Sequence, residues 1–450
     1  MFELEKRGIP TVSWTAERFI DDAQASALAF GLTTIPIAII PVPCTNEPAD
    51  RIRQMAADSI DQVIDGLTKP VSSKVTKVAA RPSKVLKFQA EDLLEAFEKM
   101  NKSFLDEGWS DGFPLVPPTS QAVEHMLSGT SFSREKVICL LEPGNGIATV
   151  EKIAINAVMA GCRPEHLPVV ITAVQCLSDP KTMLRNMAVS TGPHAPLIIV
   201  NGPIAKEINI NAKACALGPG SISYANTVIG RSLRLIMMNV GHCYPGILDM
   251  DTIGSPTKYS MCVAENEDDN PWEPFHVERG YDKDTSTVTV HFNYGVCDLL
   301  DIWSTTPEGL MERYSSSPIN IGHVGAGLWL IGRRSDPRYH VQAKDHDFIL
   351  MCPDHARIFA NHNWDKDKIR QTLYEQALAP FKVLFKDMKL VKAAHPELMW
   401  LKDHPDLMLP VLETPDCFEI AVVGADVGRS IFFWGANEPV TKPIEGKRRL

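Results

Sequence analysis

Ten cysteines are spread over 450 residues with no Cys-x-x-Cys pair and no regular spacing. That argues against a disulfide framework and gives no zinc-finger ligand set. It points instead to free thiols in a reducing cytosol. Long hydrophobic runs are also missing. The most apolar early stretch, Ile35 to Pro43, is short and broken by prolines, well under the roughly 18 residues that span a bilayer. The charged opening, Met1 to Gly8, is followed by no apolar core, so it does not read as a secretory signal. Positive charge is not in excess. The 45 Lys and Arg stand against 55 Asp and Glu, a formal net charge of -10, which argues against generic nucleic-acid binding. There is no internal repeat and no low-complexity tract.

What is present is ordinary for a globular protein: 44% hydrophobic and 22% charged residues. The length exceeds one usual hydrophobic core, so two domains are expected. Residues 9–14 read as a strand, 16–31 as a helix, 35–42 as a second strand and 49–67 as a helix. That order predicts an incomplete parallel α/β unit over 1–67. Residues 68–88 carry Lys69, Lys74, Lys77, Arg81, Lys84 and Lys87 and no acid, and read as a basic linker. Residues 89–450 read as a larger mixed α/β domain. Its expected strands are 196–200, 258–264, 286–293, 327–332, 347–352 and 418–424. Its expected helices are 89–101, 119–128, 151–161, 164–178, 224–240, 355–361 and 367–380.

Residues 191–234 hold the densest chemistry. A strand from Ala195 to Val200 ends at Asn201-Gly202-Pro203, and Gly218-Pro219-Gly220-Ser221 precedes a helix carrying Asn226, Arg231 and Arg234. Glycines let backbone approach a ligand, and a helix start favours an anion. Asn201, Gly202, Gly218, Gly220, Ser221, Asn226, Arg231 and Arg234 are therefore candidate substrate-binding residues. His194, before the strand, is a candidate for proton transfer. Cys215, near Lys213, is a candidate thiolate nucleophile, against the alternative of an inert small side chain. His355, a second candidate for proton transfer, lies where a strand meets a helix, with Asp354 as cap and Arg357 beside it, against the alternative of a helix cap with a surface histidine. The expectation is one pocket lined by 192–234 and His355.

Glu265, Glu267 and His276 form an acidic loop that reads as solvated rather than metal-binding, and no tightly bound zinc is expected. Asp111 reads as a turn aspartate. The loop Gly424 to Ser430 falls short of a dinucleotide fingerprint, and no cofactor is specified.

Residues 3–16 (ELEKRGIPTVSWTA), with AQASALAFGL and PIAIIPVP after them, resemble the segment that follows the redox motif in the UGSC family, named for a selenocysteine- or cysteine-Gly-Ser-Cys motif. WSDGFPLVPP at 109–118, GPHAPLIIVNGP at 192–203 and CPDHARIF at 352–359 resemble that family's larger companion region, as do 153–169, 226–234 and 264–276. The sequence contains no Cys-Gly-Ser-Cys. Either the motif lies upstream of Met1 or this member has lost it. The residues read as a cytosolic enzyme acting on a small anionic organic molecule, and the resemblance implies thiol- or selenol-linked redox or bond-cleaving chemistry if the motif is supplied in cis or by a partner chain. One alternative is a non-catalytic binding or partner subunit, and a weaker one is a metal-dependent lyase or hydrolase using Glu265, Glu267 and His276. The expected partner is a small molecule, with no nucleic acid and no membrane. A homo-oligomer or a redox partner chain stays open.

Overall fold

The computed structural model describes residues 4–5, 7–20, 23, 24, 27, 35–41, 47–69, 85–319, 326–336, 338–385, 387–426 and 428–446. The β-branched run after Pro36 forms a strand over Ile37–Ile40 (β2). It pairs in parallel with Ser13–Ala16 (β1), Ser13 opposite Ile37 and Ala16 opposite Ile40. The first strand thus starts later than the expected 9–14. Much of the helix expected over 16–31, and most of the basic linker, lie outside the described residues. The helix expected over 49–67 is two, Ala49–Asp58 and Ile60–Thr68. They break at Ser59, whose hydroxyl donates to the Ala56 carbonyl and accepts from the Trp14 indole at 2.9 Å. This side-chain alternative to the helical ladder ties the helices to β1. Gln62 accepts the Ile39 N–H at 2.9 Å, occupying a donor that a strand edge would otherwise expose.

Beyond residue 85 the chain is mixed α/β, as its pattern predicts. A hairpin, Val137–Leu141 (β3) with Gly146–Thr149 (β4), comes first. The later strands are Ala195–Asn201 (β5), Cys262–Ala264 (β6), Thr287–Leu300 (β7), Arg334–Asp336 (β8), Val341–Ala343 (β9), Asp347–Met351 (β10), Leu378–Pro380 (β11), Met408–Pro410 (β12), Phe418–Val422 (β13), Arg429–Gly435 (β14) and Val440–Pro443 (β15). One seven-stranded sheet has the order β13-β10-β14-β7-β5-β6, with β15 beside β7. β5 with β6 and β10 with β13 are parallel; the other pairings are antiparallel. The β1–β2 sheet shares no strand with it.

The long β7 organises this sheet. Its first half pairs with β5 and its second with β14, and Asn293 serves both. The sheet curls until its edges meet, where Asn266 N–H reaches the Val422 carbonyl at 2.7 Å and Gly424 N–H the Ala212 carbonyl at 2.8 Å. Alternation along the strands then makes three cores. Ile198 and Val200 pack outward with residues of helices Val150–Ala160, Leu167–Leu177 and Tyr224–Asn239. Ile349, Met351, Ile420 and Val422 pack outward with residues of Pro307–Tyr314, Pro353–Asn361 and Lys366–Gln376. Leu197, Ile199, Phe348, Leu350 and Phe433 belong to a third core between them. Every residue of β5 is buried, and each of its large apolar side chains contributes roughly 1.5–3 kcal/mol.

Helix Tyr224–Asn239 approaches the chain before β6 closely. A Cβ on Gly230 would fall 2.3 Å from Ser260 Oγ and 2.8 Å from the Met261 nitrogen. Gly230→Val is therefore expected to cost about 3 kcal/mol by overpacking. Urea unfolding measures it, and a variant as stable as the parent would contradict the close packing.

Other elements also differ from expectation: the strand expected over 258–264 forms only over Cys262–Ala264, after a 3-10 helix at Pro256–Lys258, and the helix expected over 89–101 is Leu93–Asp106. Residues 327–332 form no strand. Gly327 (φ 76) and Gly332 (φ 90) bracket a 3-10 helix, Leu328–Ile331, because left-handed glycines turn the chain at both ends. The helix expected over 367–380 stops at Gln376, and Leu378–Pro380 pairs with β12.

Candidate functional site

His194 precedes β5 in Ser190-Thr191-Gly192-Pro193, a segment held by Gly192 N–H donating to Ser190 Oγ at 3.0 Å. Antiparallel pairing of Ala195 with Asn293 sets the preceding His194 opposite Tyr294. Their rings meet with centroids 4.4 Å apart. His194 Nδ1 lies 3.2 Å from the Gly192 carbonyl. A carbonyl only accepts, so Nδ1 carries the proton and Nε2 keeps a lone pair. That Nε2 is buried and has no hydrogen-bond partner. Burial, assisted by Arg334, pushes the imidazole down to about 4, so it is neutral at pH 7.

His194 lines a cavity of about 520 Å³ with Thr191, Tyr294, Arg334 and Asp345. Arg334 comes from the hairpin of β8 and β9. It donates from Nε to Asp345 at 2.9 Å and also contacts the Tyr294 hydroxyl. Burial raises the pKa of Tyr294. A larger cavity, about 900 Å³, is lined by Arg234, Asp249, Asp251, Lys258 and Asp111, among others. Arg234 pairs with Asp249 at 2.8 Å, and Lys258 bridges Asp249 and Asp251 at 2.9 and 2.7 Å. The Thr191 carbonyl accepts from both Thr252 N–H and Thr252 Oγ1 at 3.1 Å. Thr252 lines the larger cavity and Thr191 the smaller, so this contact joins their walls.

The remaining candidates are not assembled there. Asn201 and Gly202 lie at the other end of β5, roughly 20 Å from His194 at about 3.3 Å per residue. Asn201 Nδ2 donates to Glu265 and Glu267 at 2.6 and 3.1 Å, and Gly202 N–H to Glu267 at 2.7 Å. Glu265 also accepts from Asn270 and from Phe275 N–H, and its burial raises its pKa. Among the described residues, Glu265, Glu267 and His276 do not converge as metal ligands. Asn226 clamps the following loop, accepting from Asn211 N–H and donating to the Asn211 and Ala216 carbonyls. Cys215 is an exposed residue in that loop at φ 55. Gly220 and Ser221 are exposed, and Gly218 is half-buried.

Arg231 makes two bonds to Asp111, at 2.7 and 2.8 Å, and reaches the Phe113 and Pro114 carbonyls. It fixes the 110–114 loop. His355 is a buried pin. Its Nε2 lies 2.7 Å from the Asp301 carbonyl, and its Nδ1 faces the Tyr314 and Ser430 hydroxyls. Thus Arg234 and His194 reach two neighbouring cavities. Cys215, His355, Asn201, Gly202, Gly218, Gly220, Ser221, Asn226 and Arg231 line neither, so 192–234 and His355 do not form one pocket. Tyr294, Arg334, Asp345, Asp249 and Lys258 were not flagged by the sequence. Each is remote in the chain, and strand register and the β8–β9 hairpin bring the first three to His194.

Burial also governs the thiols. It pushes Cys139 up to about 11 and Cys162, Cys176, Cys243 and Cys352 up to about 12. These side chains stay protonated near neutral pH and are poor nucleophiles. Among the described residues, no helix is long and apolar enough to cross a membrane.

No curated protein and no solved structure matches this chain. One family model does, over residues 2–69, and the resembling segments beyond residue 69 fall outside it. The segment holding β1, β2 and the two helices after them, residues 2–69, belongs to the UGSC family.

Proposed function

We propose that the protein is a cytosolic enzyme that binds a small anionic organic molecule in the His194 cavity, and that His194 Nε2 accepts a proton from it. The observation that carries this reading is the buried, unpartnered Nε2 of a neutral imidazole that lines a cavity. A buried polar atom without a partner is costly. A ligand donor or an acidic C–H or O–H would relieve that cost. Arg334 supplies the anion contact. Asp345 and Tyr294 use two of its five N–H donors, which leaves donors for a carboxylate. Thiol-linked redox chemistry has weaker support, because burial holds the thiols described above in their protonated form.

A panel of small carboxylic acids, read by calorimetry on the full chain, tests the binding step. Arg334→Met is expected to weaken the best ligand at least tenfold, while Cys215→Ser leaves it unchanged. Equal affinity in Arg334→Met would remove the anion site. A loss in Cys215→Ser would move the site to the exposed loop.

A further inference from the structure

A second set of chemistry-bearing residues includes none that line the His194 cavity. Parallel pairing sets Asp347 opposite Phe418, so the residues just before them, His346 and Cys417, start the two strands side by side. A ring nitrogen of His346, Cys417 Sγ and an Asp416 carboxylate oxygen all lie within 4.8 Å of one another. His346 and Cys417 are buried, while the Asp416 side chain is 65% exposed. His346 Nε2 is buried and makes no hydrogen bond. Its other nitrogen, Nδ1, lies 2.8 Å from Glu419 Oε1. A carboxylate behind the far nitrogen is how a metal-binding imidazole is usually oriented. Thr414 Oγ1 lies 3.3 Å from the Cys417 sulfur.

We propose that His346, Cys417 and Asp416 form a binding site for a borderline divalent transition metal such as zinc. The donor set is one imidazole, one thiolate and one carboxylate, which suits zinc or cobalt rather than magnesium or calcium. Two negative ligands balance a dication. The neighbouring Glu419 is balanced by Arg279, which pairs with it. The cluster already attracts a cation, since Lys344 Nζ sits 2.9 Å from Asp416 Oδ2 and 2.9 Å from Thr414 Oγ1. The metal takes the place of that ammonium on the carboxylate. Metal–ligand bonds of about 2.0–2.3 Å put ligand atoms roughly 3.3–3.8 Å apart, so the set must close by up to about 1.5 Å. The exposed Asp416 side chain can supply most of that movement. The third coordination partner being a surface carboxylate leaves a fourth position for water. Sequence spacing gives no hint of this set, because its members precede two strands that are far apart in the chain, and only the pairing of those strands joins them. The inference does not depend on the role of His194.

Cobalt(II) titration of the chelator-stripped full chain tests it. The expected result is one cobalt per chain, with a thiolate-to-cobalt charge-transfer band and tetrahedral visible bands, all displaced by zinc. Cys417→Ser is expected to abolish the charge-transfer band. Asp416→Asn, at an exposed position that the fold tolerates, is expected to keep the band and weaken binding about tenfold. A parent spectrum without charge transfer would overturn the site. So would a band that survives in Cys417→Ser, or an unchanged affinity in Asp416→Asn.

Discussion

His194→Gln should lower turnover of the protein's substrate by about 10²–10⁴-fold, the usual weight of one general base, with a much smaller change in binding. The expectation follows from the tautomer. The Gly192 carbonyl fixes the proton on Nδ1, so Nε2 is the basic atom. A glutamine keeps the side chain polar but offers no comparable base. Steady-state kinetics separates the outcomes, since a loss in kcat at similar KM marks a group that acts in the transition state. A His194→Gln enzyme with unchanged kcat would end the proton-transfer role, even with the cavity occupied.

Acid should destabilise the protein well before its carboxylates titrate in bulk. Burial pushes His166 and His194 each to about 4, while an unfolded histidine titrates near 6.5. Between these values the unfolded chain binds protons that the native chain refuses. The contribution of these two histidines is therefore complete above about pH 6.5 and falls as the pH drops toward about 4. A shift of 2.5 pH units corresponds to roughly 3 kcal/mol per residue at most, and less where water reaches the ring. Glu265 works in the opposite direction, because burial raises its carboxyl, so comparison with a variant isolates the histidine effect. Urea unfolding from pH 7 to 5 should show a slope that is shallower in His194→Gln than in the parent. Identical slopes in parent and variant would mean that His194 is protonated alike in folded and unfolded chains.

The sequence shows some of this and hides the rest for identifiable reasons. β5 is legible because Ala195 to Val200 is a continuous apolar run covered on both faces. Helix Tyr224–Asn239 is legible from its period. The parallel pairing of β1 with β2 follows from the order of elements. By contrast, Leu328–Ile331 is as apolar as a strand, and only the left-handed glycines at its ends decide otherwise. β14 carries the strand-forming run Ile431-Phe432-Phe433-Trp434, a signal that was there to be read. In the site, His194 stands out by its place before β5. Arg231 also stands out, but its charge is spent on Asp111, because the 110–114 loop folds back onto the helix. Asn226 and His355 likewise serve neighbouring backbone and hydroxyls. Polar residues in a glycine-rich segment mark ordered structure as readily as ligand contacts, and only their partners tell the two apart. Tyr294 and Arg334 become visible only through strand register and hairpin geometry.

The state of one nitrogen tests the account most directly. Nitrogen-15 NMR of histidine-labelled full-length protein, with His194→Gln used to assign the signal, reads both tautomer and titration. The account predicts that His194 is neutral with its proton on Nδ1 from pH 7 down to about 5, titrates near 4, and changes its Nε2 shift when a carboxylic acid ligand binds. A proton on Nε2, or an ordinary titration near 6.5, would contradict it.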